Sequence, residues 1–166
     1  MFDVVLASLF PFLVIAAAVS DFFTMKIPNW LNLFIAVLML PMAFIFGMPG
    51  ETVLWSLAAG VLMLAAGFGL FAVNAIGGGD AKLFAAASLW IGWNSLLPFA
   101  MYTAFAGGVL AIVMKMWQFV QIEHEVKDVA WLKQVIRADL DLPYAVAIAT
   151  GAMFAYPTTF WMQHLT

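Results

Sequence analysis

Apolar residues fall in six long runs separated by short polar or glycine-rich breaks. The runs are Val4–Val19, Leu31–Phe46, Val53–Ala75, Ala81–Trp93, Leu97–Met116 and Tyr144–Trp161. None shows the strict alternation of a half-buried strand, and runs of this length read as helices, most of them long enough to cross a bilayer. The fourth is short: about 13 residues make roughly 20 Å of helix, less than a hydrocarbon core. Gly47, Pro49, Gly50 and Glu51 form the turn after the second run. Gly92, Asn94, Ser95 and Pro98 break the chain before the fifth, and Pro143 sits at the start of the sixth. One long stretch departs from the pattern. From Gln118 to Leu142 the chain is polar, yet Phe119, Ile122, Val126, Val129, Leu132 and Ile136 recur at helical spacing. It reads either as an amphipathic helix on a membrane surface or as a solvated connector.

Composition fixes the solvent. Of 166 residues, 66% are hydrophobic and 9% charged, with a mean hydropathy of +1.07. A water-soluble domain of this size cannot hide that much apolar surface. The expectation is an all-α integral membrane protein, a bundle of about six transmembrane helices forming one polytopic domain over residues 1–166. The first run is read as a retained helix, because Asp3 and no basic residue precedes it. The absence of cysteine excludes disulfides and thiolate chemistry, and the net charge of −3 argues against a nucleic-acid partner.

Charge placement orients the bundle. If six spans alternate sides, Lys26, Lys82, Lys115, Lys127, Lys133 and Arg137 all fall on one side, and Asp3 and Glu51 on the other. By the positive-inside rule both termini are outside and the loop 118–142 is cytoplasmic. Trp30, Trp55, Trp90, Trp93, Trp117 and Trp161 fall near predicted span ends, as an aromatic belt places them.

Two carboxylates remain at span ends on the cytoplasmic side outside the long loop: Asp21, closing the first run, and Asp80, opening the fourth. Asp80 suits a helix N-terminus and Asp21 does not suit a C-terminus. Each can be a cap or an interface marker, but acids at membrane depth are costly and usually functional. If the helices bring them together, two close carboxylates share a proton. One can then act as base on a water while the other donates to a carbonyl, the arrangement of an aspartic protease. Gly77, Gly78 and Gly79 directly precede Asp80 and read as a bared backbone edge on which an extended peptide can lie as an added strand. Both histidines, His124 and His164, lie outside the predicted spans, which removes the base of an intramembrane Ser–His pair. No metal or cofactor is expected, since Glu123-His124-Glu125 lacks a second nearby histidine.

At the two aspartates the sequence resembles the type IV prepilin leader peptidases, membrane aspartic proteases of the GxGD type. One motif is Asp21-Phe22-Phe23-Thr24-Met25-Lys26-Ile27-Pro28-Asn29, the family's aspartate followed by a short basic stretch and Ile-Pro-Asn. The other is Gly77-Gly78-Gly79-Asp80-Ala81-Lys82, the family's GxGDxK. Leu142-Pro143-Tyr144-Ala145 is similar to a Pro-Tyr-Gly segment that opens the family's last helix, with Ala145 in place of the glycine. The resemblance extends over essentially the whole chain. It implies that Asp21 and Asp80 are a catalytic dyad. It also implies a substrate with a short basic leader and an apolar membrane helix, cut between the two at the cytoplasmic face of a bacterial inner membrane. The short chain, with no cysteine-bearing N-terminal domain, looks like the compact branch associated with Flp-type pili. Lys82 either attracts an acid or anchors topology, Pro28 sets the start of the second helix, and Asn29 is expected to cap it. Two other functions use the same acids: a proton or ion conduit, and a scaffold subunit packed through its glycines. A conduit needs polar residues through the membrane depth, and Asn74 and Tyr102 are the notable ones in the runs.

Overall fold

The ends of the helices are set by backbone chemistry that the apolar pattern only approximates. The computed structural model describes residues 2–120 and 142–165. The described residues are helical and contain no strand. In chain order they form α1 (Phe2–Ala7), α2 (Leu9–Thr24), α3 (Asn29–Ile45), α4 (Gly50–Ala72), α5 (Gly78–Ile91), α6 (Leu96–Val120), α7 (Tyr144–Ala155), a 3₁₀ turn Tyr156–Thr158 and α8 (Phe160–Gln163). The loop 118–142 lies almost wholly outside the described residues.

The first run is divided at Ser8 between α1 and α2. Pro11 explains the break: it lacks an N–H, and its ring crowds the carbonyl four residues back, at Ala7. That carbonyl is recovered by Tyr156, whose hydroxyl donates to it at 2.6 Å. The second run ends as expected at a glycine. Gly47 adopts φ 61°, Met48 N–H donates to Ala43 C=O (2.8 Å) and Gly47 N–H to Phe44 C=O (3.1 Å), the paired bonds of a Schellman stop. The third run stops earlier than its hydropathy suggests, for the same reason. Asn74 takes φ 56°, and Ala75 N–H and Asn74 N–H close on Leu70 (2.9 Å) and Phe71 (2.9 Å). Asn74, read above as a polar residue within a span, is thus the left-handed residue that ends α4. The sixth run is not one helix. It breaks at Tyr156–Thr158, where Pro157 cannot continue the ladder.

Among the described residues, three stretches are long and apolar enough to cross a membrane: Asp3–Thr24, Gly50–Ala72 and Leu96–Trp117. Helix α3 is a shorter apolar helix of 17 residues. Helix α5, with 14 residues, can be short because protein rather than lipid surrounds it. Ala81, Leu83, Phe84, Ala87, Trp90 and Ile91 are all buried, and α5 packs against α3, α4, α6 and α7. Glycines let the backbones close in. A methyl group at Gly67 would sit 3.1 Å from Ala81 Cα, so α4 touches the first turn of α5. At Gly151 it would stand 2.7 Å from the Thr103 backbone N, which locks α7 onto α6.

Aromatic side chains seal one end of the bundle. Trp90 stacks on Phe10 at 5.2 Å and meets Trp161 at 4.9 Å. Trp90 Nε1 donates to Ile35 C=O (2.8 Å), and Trp161 Nε1 donates to Trp90 C=O (2.6 Å), one of the carbonyls a helix end leaves open. The opposite end is where α2 stops and where α3, α5 and α7 begin or abut, and there the two aspartates lie.

Candidate active site

Asp21 stands in the last turn of α2, and the chain then reverses direction within a few residues. Met25 adopts φ 53° and its N–H closes on the Asp21 carbonyl at 2.7 Å. Ser20 Oγ donates to the Lys26 carbonyl at 3.1 Å, and Thr24 Oγ1 lies 2.7 Å from the Ser20 carbonyl, so local hydroxyls hold the reversal. Pro28, at φ −58° and ψ 130°, then directs the chain into α3. Asn29 does not cap that helix: its side chain makes no capping bond, and its Oδ1 accepts instead from Lys82 Nζ at 2.8 Å.

Asp80 occupies the third position of α5, and its Oδ2 accepts the Gly77 N–H at 3.1 Å. This is the reach-back half of a capping box, and it places the acid at the helix end where the dipole favours it. The three glycines do not form an extended edge. Gly78 and Gly79 are already helical, the Gly77 N–H is held by Asp80, and the Gly79 carbonyl accepts from Asn32 Nδ2 at 3.0 Å. An added strand along Gly77–Gly79 therefore has no ladder to join. None of the three needs a positive φ; Gly47 and Gly92 are the described glycines with one. What Gly77 provides is space: a methyl group there would lie 2.8 Å from Asp80 Oδ2. Methyl groups at Gly78 and Gly79 would make ordinary contacts of 3.5 Å with Phe71 and Ile27.

The two acids, 59 residues apart in sequence, open into one cavity of about 640 Å³ whose walls also include Thr24, Lys26, Asn29 and the three glycines. Both carboxyl groups are withdrawn from the surface, with Asp21 5% and Asp80 7% exposed. Lys82 does not line this cavity. It points to the neighbouring face, where Asn29 holds it.

Two contributors were not legible as site residues. The Ala145 N–H, in the first turn of α7, donates to Asp21 Oδ2 at 3.2 Å. Tyr144 beside it rests its ring over Gly107. The Pro-Tyr segment was visible in the sequence, but a backbone donor carries no residue signature. The other is Asn32, one turn into α3, whose amide steadies the Gly79 carbonyl just before Asp80. Its signal was a lone amide inside the second apolar run.

Comparison with known proteins gives a family. No curated protein and no solved structure matches the chain. A family model, described as the type IV leader peptidase family, matches residues 8–112, more than half of the chain, and spans Asp21, the glycines, Asp80 and Lys82. The match stops short of α7, so the Ala145 contact is a feature of this chain's fold outside the matched region. A membrane-helix protein with these two motifs and this match belongs to the type IV leader peptidase family.

Proposed function

We propose that this protein is a membrane aspartic endopeptidase that removes the short basic leader from Flp-type prepilins at the cytoplasmic face of a bacterial inner membrane. The single observation that carries the reading is the common cavity. Asp21 and Asp80, from helices far apart in sequence, both face it, each with a backbone N–H on one carboxylate oxygen. In this mechanism the pair holds one proton, because two carboxylates brought together on one water do not both ionise readily. The ionised member takes a proton from water, and the resulting hydroxide attacks the scissile carbonyl carbon. The protonated member donates to the carbonyl oxygen. Collapse of the tetrahedral intermediate breaks the C–N bond, the leaving nitrogen takes up the proton gained from water, and the re-forming carbonyl returns its proton to the other carboxylate. The two backbone donors hold the carboxylates in place, so that orientation is prepared before substrate arrives.

The orientation rests on charge. Lys26, Lys82 and Lys115 are exposed at or beyond the aspartate end, whereas Glu51 begins α4 at the opposite end. Positive-inside topology then turns the aspartates to the cytoplasm, with both termini outside and six spans, α3, α5 and α7 being the short ones.

The test is processing of a co-expressed Flp-type prepilin in membranes, read as a gel shift, with wild type, Asp21→Asn and Asp80→Asn at matched expression. The expected result is cleavage by wild type and loss in both variants. Cleavage by either variant removes that aspartate from the chemistry, and an inert, folded wild type removes the peptidase reading in favour of a scaffold or conduit.

A further inference from the structure

Beside the aspartate cavity lies a second space. Helices α3 and α4 both pack on α5 but leave between them a groove of about 470 Å³. Its walls are apolar, with Leu33 and Ala36 on α3, Val61 and Leu64 on α4, and Ala85 and Leu89 on α5. Its length, from Asn29 to Ala36 along α3, is roughly 10 Å, about two helical turns. Asn29 lines both this groove and the aspartate cavity, so the two spaces meet at that residue.

A second observation, independent of the groove's shape, is an unmet acceptor on a residue of its wall. Asn32, which lines it, is only 4% exposed, and its Oδ1 has no hydrogen-bond partner among the described residues. The amide cannot simply turn over, because Nδ2 is needed for the Gly79 carbonyl and a flip would oppose two oxygens. A buried acceptor in apolar surroundings is costly unless a donor arrives. The first turn of any helix brings several N–H groups with no internal partner.

Building on the peptidase reading above, we infer that the groove receives the first two turns of the substrate's apolar helix, and that Asn32 Oδ1 accepts a backbone N–H from the first of them. A chain cut in the aspartate cavity and continuing as a helix passes Asn29 and enters the groove with its open N–H groups at the level of Asn32. A rival groove between α2 and α7, lined by Ile15, Val19, Phe23 and Met153, shares no residue with the aspartate cavity.

The absence of cysteine in the chain makes the test direct. Val61→Cys, at a groove position 67% exposed, is paired in membranes with a prepilin bearing one cysteine at successive positions in the first two turns of its helix. Phe23→Cys reports on the rival groove, and Phe105→Cys on the open face of α6. Oxidation is expected to cross-link Val61→Cys to the prepilin with helical periodicity and to leave the other two uncoupled. In a second assay, Asn32→Leu is expected to raise KM for intact prepilin about three- to tenfold more than for a short peptide spanning the cut without the helix. Coupling at Phe23→Cys or Phe105→Cys as strong as at Val61→Cys overturns the inference. So does coupling of Val61→Cys only to a second copy of itself, or to nothing while prepilin is still cleaved, which leaves the groove to lipid. An equal KM change on both substrates removes Asn32 from substrate capture. If wild type leaves prepilin uncut, the peptidase reading falls and the inference with it.

Discussion

Replacing Gly77 by alanine separates the two uses a glycine can have. At φ −71° and ψ 152° the Gly77 backbone is one that alanine adopts freely, so the change costs the fold nothing locally. Taken alone, the reduced freedom of the unfolded chain would stabilise by about 0.4–1 kcal/mol. The new methyl, however, would stand 2.8 Å from Asp80 Oδ2, where an ordinary contact needs roughly 3.4 Å or more. The carboxylate must rotate away, and the 3.1 Å bond from the Gly77 N–H to Oδ2 goes with it. A hydrogen bond to a charged group is worth about 1.5–3 kcal/mol. If that sum is lost from the oriented state of the acid, cleavage slows by about 10- to 100-fold. The assay is the time course of prepilin processing, run beside thermal unfolding in detergent. Gly78→Ala and Gly79→Ala serve as controls, because their methyl groups meet only ordinary 3.5 Å contacts, and both are expected to stay within about threefold of wild type. Full activity of Gly77→Ala, with unchanged stability, refutes the argument that Gly77 exists to seat Asp80. Loss of activity in Gly79→Ala alone would instead mean that a substrate backbone comes close there.

Three further outcomes follow from the geometry. Ala145→Pro removes the N–H that reaches Asp21 and is expected to cut processing by about tenfold, whereas Ala145→Gly keeps that donor and most of the activity, by the same gel shift. Gly151→Ala places a methyl against the Thr103 backbone and is expected to destabilise by about 1–3 kcal/mol through separation of α6 and α7, seen as a lowered unfolding midpoint. Trp161→Phe leaves the buried Trp90 carbonyl without its 2.6 Å donor and is expected to cost about 1–3 kcal/mol in the same measurement, with the aspartate end unaffected.

The apolar runs located the helices because burial in lipid or protein demands them, and Gly47 marked a stop because its φ of 61° is one few other residues accept. What escaped the pattern are places where one backbone group decides. Pro11 breaks the first run at Ser8, yet its effect is absorbed by Tyr156, almost the whole chain away. Asn74 looked like a polar residue in a span and is a helix stop. Asn29 looked like a cap and is a partner of Lys82. At the site, Asp21 and Asp80 were legible because a carboxylate in an apolar chain is rare and its motif distinctive. The donors that orient them were not, since Ala145 acts through an N–H that nearly every residue possesses. Gly77 was noticed for the wrong property, conformational freedom instead of the room it leaves beside Oδ2.

The bond between Ala145 and Asp21 joins the last long helix to the first. A ribosome delivers Asp21 early and Ala145 after most of the chain has been made, so the growing chain passes through a long period in which that carboxylate lacks its partner. The bond therefore forms only after every residue lining the cavity has been made. A molecule interrupted between α5 and α7 carries both acids but only one of their two backbone anchors, and the second forms only when α7 is in place. Supplying α7 as a separate polypeptide should restore in trans what the interrupted chain lacks.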